Sequence, residues 1–208
     1  MKGLILKDIY SLRKYGRTIL LIAAIYSIMI FITGNTEVFL GTVVIMFAVT
    51  SITSFVDDNQ SGWDTYVRTL PASKKDVVMS KYVLSYLLAL AGGLLALIVG
   101  WINGITKHSG NFSEMLVTSY VMFAIAVIFV SILLPFIYKF GVERARIIII
   151  AAVAIPVAAV LALAQTKAIP VPDAQTVRQA LILSPFIVVA CCLLSFAISN
   201  AVYRKKEV

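Results

Sequence analysis

The sequence predicts an all-α polytopic membrane protein with six transmembrane helices, an N-terminal interfacial amphipathic helix and a short cytoplasmic helix. Three observations carry that prediction. The first is composition. Of 208 residues, 61% are hydrophobic and 13% charged, with a mean hydropathy of +0.97. Soluble domains are about half apolar and about a quarter charged, because a folded chain in water needs a polar exterior. The second is charge segregation. Stretches 82–106, 115–138, 147–166 and 179–203 contain no Asp, Glu, Lys or Arg. Each matches the roughly 20 apolar residues that a helix needs to cross about 30 Å of hydrocarbon. The third is where the cations fall. Loops on one side hold all of the Lys and Arg except Lys107, Lys167 and Arg178. Lys and Arg accumulate in cytoplasmic loops, so both termini are expected in the cytoplasm.

The elements follow in chain order. Residues 1–17 read as a helix in the headgroup plane. Ile5, Ile9 and Leu12 share one face, flanked by Leu4 and Tyr15, with Lys7, Ser11 and Lys14 opposite. The bland reading is a simple anchor. The N-terminal cations before an apolar run resemble a signal peptide. No small-residue cleavage site follows, so a retained helix is expected. Residues 18–33 and 38–56 are apolar and separated only by Gly34-Asn35-Thr36-Glu37. Together they are too long for one crossing and read as a tight hairpin of two spans.

The stretch from 57 to 81 is the longest cytoplasmic loop. Trp63, Tyr66, Val67 and Leu70 stand at i, i+3, i+4 and i+7 and predict one apolar helical face. Asp64, Thr65 and Arg68 point elsewhere, and Pro71 stops the helix. Ser73 and Asp76 then have the form of a capping box before Val77-Val78-Met79. The helix either tucks its aromatics into lipid or presents a docking face to a partner. Spans 82–106, 115–138, 147–166 and 179–203 complete the six. Pro135, Pro156 and Pro185 should kink spans four, five and six, which helix bundles in lipid tolerate. Gly93, Gly100 and Gly104 share a face of span three and suit close packing. Thr42, Thr50, Thr53 and Ser54 on span two suit either packing or the lining of a pathway.

The residue inventory excludes several functions. There is no phosphate-binding G-x-x-x-x-G-K-[ST] loop and no hydrolase motif. No ionisable residue falls mid-span, where proton relays keep them. His108, the single histidine, has no Cys or carboxylate beside it to form a metal site. Cys191 and Cys192 are adjacent, which disfavours a disulfide. The net charge of +8 is spread over four loops and reads as topology, so no nucleic-acid partner is expected.

Three segments together resemble a known family. They are Met1-Lys2-Gly3-Leu4-Ile5-Leu6-Lys7-Asp8-Ile9-Tyr10, Gly62-Trp63-Asp64-Thr65-Tyr66, and Thr69-Leu70-Pro71-Ala72-Ser73-Lys74-Lys75-Asp76 with Ser80-Lys81-Tyr82. The pattern resembles the ABC-2 type permeases. The nearest branch is the small bacterial six-span subunits that include the phenol-soluble modulin exporter permeases. The resemblance spans the whole chain and implies one transmembrane domain in a bacterial plasma membrane. It implies pairing with a second permease copy or paralogue and with two copies of a separate cytoplasmic ABC ATPase. ATP and Mg would be bound on that ATPase. This chain itself would have no catalytic, cofactor or metal residues. The implied cargo is an amphipathic peptide such as a toxin, bacteriocin or antimicrobial peptide. The alternative is a non-transporting anchor or immunity subunit. By resemblance, Asp57, Asp58, Trp63, Asp64, Tyr66, Val67, Arg68 and Leu70 form the coupling helix that docks the ATPase. The N-terminal segment is the connecting helix. Spans two and five face the partner permease, which makes Thr50 and Thr53 pathway candidates.

Overall fold

The computed structural model describes residues 2–33, 36–69, 73–107, 112–144 and 174–205. These are helix and turn, with no strand among the described residues. The main elements are α1 (Lys2–Thr33), α2 (Thr36–Gln60), α3 (Trp63–Tyr66), α4 (Lys74–Lys107), α5 (Phe112–Phe140) and α6 (Ala174–Lys205). A 3₁₀ turn, Val67–Thr69, follows α3. Four stretches are long and apolar enough to cross a bilayer: Gly41–Gln60, Lys74–Thr106, Met115–Phe140 and Arg178–Lys205. The chain is an all-helical multi-pass membrane protein. The expected fifth span, 147–166, lies outside the described residues.

Two boundaries differ from the expectation. The expected interfacial segment and first span form one unbroken 32-residue helix, α1. Between Leu12 and Ile19 there is no proline. A single glycine, Gly16, costs about 1 kcal/mol in a helix and does not stop one. At the end of α2 the helix runs past Val56 to Gln60, so Asp57 and Asp58 belong to a helix end. The chain turns at Gly62, whose φ of 66° lies in the left-handed region that glycine enters without strain. The start of α4 is as expected. Ser73 Oγ accepts from the Asp76 amide at 3.1 Å, the N-cap half of a capping box, and donates to the Asp76 carboxylate at 2.8 Å.

The chain forms two compact units, Met1–Val130 and Ser131–Val208. In the first, α2 packs most extensively on α4 and α1 lies against both. Ala23, Val43 and Phe47 form the buried centre, with Ile19, Tyr26, Met46, Ala91 and Leu95 around it. The closest approach is at Gly92. A Cβ there would stand 2.7 Å from Phe47 Cβ and 3.2 Å from Val44 Cα. The packing glycine at this crossing is therefore Gly92, next to the expected Gly93, whose nearest neighbour is Phe123 at 3.5 Å.

The second unit shows how prolines are absorbed in lipid. Pro135 has no N–H for the carbonyl of Ser131, one turn earlier. The Ser195 hydroxyl of α6 donates to that carbonyl instead. Pro185 frees the carbonyl of Leu181 in the same way, and Ser184 Oγ donates to it at 2.8 Å. Tyr138 and Tyr203 add an edge-to-face contact at 5.5 Å. Residue Gly141, at φ 80°, ends α5, its amide donating to the Ile137 carbonyl at 2.9 Å.

Candidate functional site

Three helix ends of the first unit meet at one level: the start of α1, the end of α2 and the start of α4. Each contributes charge. Lys7 Nζ lies 2.8 Å from Asp8 Oδ1 and 2.5 Å from Asp58 Oδ1. Lys81 Nζ lies 2.9 Å from Asp8 Oδ1 and 2.5 Å from Asp58 Oδ2. Each cation thus touches both carboxylates, and each carboxylate touches both cations. The result is a closed ring of alternating charge with no net charge. Asp8 and Lys81 are deeply placed, with side chains 1% and 5% exposed, whereas that of Lys7 is 26% exposed. Ser54, fully buried, fills the remaining hydrogen-bonding capacity. Its hydroxyl donates to Asp8 Oδ1 at 3.0 Å and accepts from Lys81 Nζ at 2.6 Å.

Burying Asp8 and Lys81 is tolerable because each is paired and hydrogen-bonded; a partner left alone would carry the full desolvation cost. With 32 residues, α1 is about 48 Å long, longer than the roughly 30 Å of a bilayer core. Residues 7 and 8 are within its first turns.

A second cluster continues the seam. Asp57 accepts from Ser11 Oγ at 2.6 Å, Lys14 Nζ at 2.9 Å and Tyr15 Oη at 3.1 Å. The Asp57 hydrogen bond, followed by that to Tyr15, holds the Lys14 ammonium above its ordinary pKa. The raised lysine pKa means that the lysine's contribution is fully present below about pH 10.4 and is lost as pH rises through the raised value. Lys7, Asp8, Ser11, Lys14 and Tyr15 recur at helical spacing, so α1 presents one polar stripe to α2 and α4. The helical pattern had suggested a solvated face for Lys7, Ser11 and Lys14. The structure turns Lys7 and Ser11 partly inward toward α2 and α4 while Lys14 stays exposed, and of the expected apolar face Leu12 is buried and Ile9 exposed.

Next to the ring hangs α3. Lys7 Nζ stands 4.2 Å from the centroid of the Trp63 ring, a cation–π contact, and the Trp63 and Tyr66 rings lie 5.4 Å apart. Val67 is buried, whereas Tyr66 is 58% exposed. The expected single apolar face of Trp63, Tyr66 and Val67 is therefore divided between the interior and the surface. The side chains of Asp64 and Arg68, and the whole of Leu70, lie outside the described residues.

The hydroxyls of α2 sort by face. Thr50 and Ser54 are buried. Thr50 Oγ1 donates to the Met46 carbonyl at 2.8 Å and Thr53 Oγ1 to the Thr50 carbonyl at 2.6 Å. Thr42 and Thr53 are half-buried and, at about three turns apart, share a face.

The sequence marked Asp57 and Asp58 and placed them with α3, but their contacts run to α1 and α4. It treated Lys7 and Lys81 as topology cations and gave Asp8 no role. Two signals were available: the Lys7-Asp8 pair at a helix face and the charges at the ends of the apolar stretches. Among the described residues no group of His, Cys, Asp or Glu could hold a metal ion. What the cluster does is mechanical: it ties three helix ends together beside an exposed helical turn.

Neither the curated proteins nor the solved structures give a match to the chain. The family described as ABC-2 family transporter protein matches residues 3–204. That match takes in the charge ring, α3 and all of the apolar helices, and the chain belongs to the ABC-2 transporter family.

Proposed function

We propose that this chain is the permease subunit of an ATP-driven exporter, with six spans and both ends in a bacterial cytoplasm. A separate cytoplasmic ABC ATPase in two copies binds ATP and Mg and supplies the energy. The family membership supports the permease role, and the 15 basic residues in alternate loops support the orientation. One structural observation carries the mechanism. The one-turn helix α3 and its 3₁₀ extension project exposed Tyr66 between α2 and α4, whose ends the charge ring holds together. A short helix held at both ends by spanning helices transfers a push to those helices. Tyr66 is the docking anchor, Trp63 supports it from below, and Asp64, Arg68 and Leu70 complete the docking face.

The cargo is an amphipathic peptide, moved between two permease copies. The face of α2 that carries Thr42 and Thr53 lines the route, since Thr50 and Ser54 are taken up inside the unit.

Co-expression with the ATPase of the same operon, purification and reconstitution in lipid test this. The ATPase should co-purify, and an amphipathic peptide should stimulate ATP hydrolysis. Tyr66→Ala should weaken ATPase binding by about 2–4 kcal/mol, as loss of an aromatic anchor does, while the permease still inserts. Undiminished ATPase binding by Tyr66→Ala would remove α3 as the docking element. Binding without peptide-stimulated hydrolysis would favour the anchor or immunity role.

A further inference from the structure

We infer that the N-terminal helix α1 is a working arm of the transmission, with Asp8 and Lys81 as positioning residues that make α1, α2 and α4 move as one body when α3 is displaced. The inference rests on the permease reading and deepens it.

Three observations bear on it. The first is the link to α3. It joins α2 through Ser61 and Gly62, with the Ser61 amide donating to the Asp57 carbonyl at 3.0 Å and the Thr65 amide to the Gly62 carbonyl at 3.1 Å, so a push on α3 reaches the end of α2 at the level of Asp57 and Asp58. The second is the ring. Asp58, four residues before Gly62, is held from both sides by Lys7 and Lys81. Movement of the end of α2 without α1 and α4 would strand a buried carboxylate, a change that a partly desolvated site resists. The third is Lys7. It closes the ring and also stands over the Trp63 ring, so α1 touches α3 directly. Displacement of α3 therefore reaches the spanning helices by a non-covalent route through Lys7 as well as through the Ser61-Gly62 link.

A simple structural role predicts something different. If the ring only stabilises the fold, removing a matched pair of charges should leave coupling intact once the protein is folded. Asp8→Asn with Lys81→Met is that variant. It deletes one cation and one carboxylate, leaves the Lys7–Asp58 pair, and strands no charge. It cuts the tie from α1 to α4.

The test uses the permease with its ATPase in lipid vesicles. The double variant should bind the ATPase as the parent does and hydrolyse ATP, while peptide transported per ATP falls at least tenfold. A partner-free readout accompanies it. In a Trp101→Phe background Trp63 is the remaining tryptophan, and Lys7→Met should shift its emission while Lys7→Arg should not. Transport per ATP equal to the parent would overturn the inference, as would an unchanged Trp63 spectrum in Lys7→Met. Failure of the parent chain to bind any ATPase would be a failure of the permease reading itself and would take the inference with it.

Discussion

The first unit and helix α6 solve the same problem in opposite ways. In α2 and α4, 56% and 39% of the most apolar window is buried, whereas in α6 the figure is 6%. All three are apolar enough to span. Apolarity therefore does not decide which helices pack together, because lipid tails solvate leucine as well as another helix does. The difference lies in polar groups and small residues. At its charged end α4 carries Lys81, and at mid-length it carries Gly92, which admits α2 to close range. Along α6 run large aliphatics and Phe186, Leu193 and Leu194, all exposed. Its described contacts with α5 are a serine on a proline-freed carbonyl, a cysteine and a tyrosine pair.

The comparison can be broken at its strongest point first. Asp8→Ala leaves Lys7 and Lys81 to share the one carboxylate of Asp58, and the unmatched positive charge beside the buried Lys81 should cost about 3–5 kcal/mol of stability. Asp8→Asn with Lys81→Met should cost less than either single change, a non-additivity expected of neighbours in one network. Denaturant unfolding in detergent measures both; equal, additive losses would mean the four charges do not act as a ring. Next comes the helix crossing. Gly92→Ala puts a methyl 2.7 Å from Phe47 Cβ, and overpacking of this kind costs about 1–3 kcal/mol. Gly93→Ala meets only Phe123 at 3.5 Å and should be nearly neutral. If the two behave alike, the crossing is looser than described. The smallest effect belongs to α6. Leu193→Ala, at a site 65% exposed, should change stability by less than about 0.5 kcal/mol in detergent, as surface substitutions do. A larger loss would reveal that α6 is covered after all.

Much of the fold was legible because the bilayer imposes it. Charge-free length alone located α4, α5 and α6, and Ser73 with Asp76 announced the start of α4. The ring was not legible, for a definite reason. Helical periodicity assumes that polar faces meet water. Where helices pack on one another a polar group can be satisfied by a neighbouring helix instead, and Lys7, Asp8 and Ser11 find their partners on α2 and α4 while Ile9 stays exposed. Gly92 was missed for a related reason: in the doublet Gly92-Gly93, only the partner helix decides which glycine is at the crossing. Asp57 and Asp58 were placed beyond α2 because apolarity ends at Val56, although nothing in Asp57-Asp58-Asn59-Gln60 stops a helix before Gly62.

The charge ring also has a consequence for synthesis. Its members enter the membrane in order, with Lys7 and Asp8 first, Asp58 next and Lys81 last. Until Lys81 is made, the three charges already present sum to one excess negative charge at the end of a helical hairpin. That charge keeps the end of the hairpin hydrated and the pair of helices loose. Arrival of Lys81 neutralises it and lets the three ends close together. The three ends can thus close while the rest of the first unit, up to Val130, is still to be made.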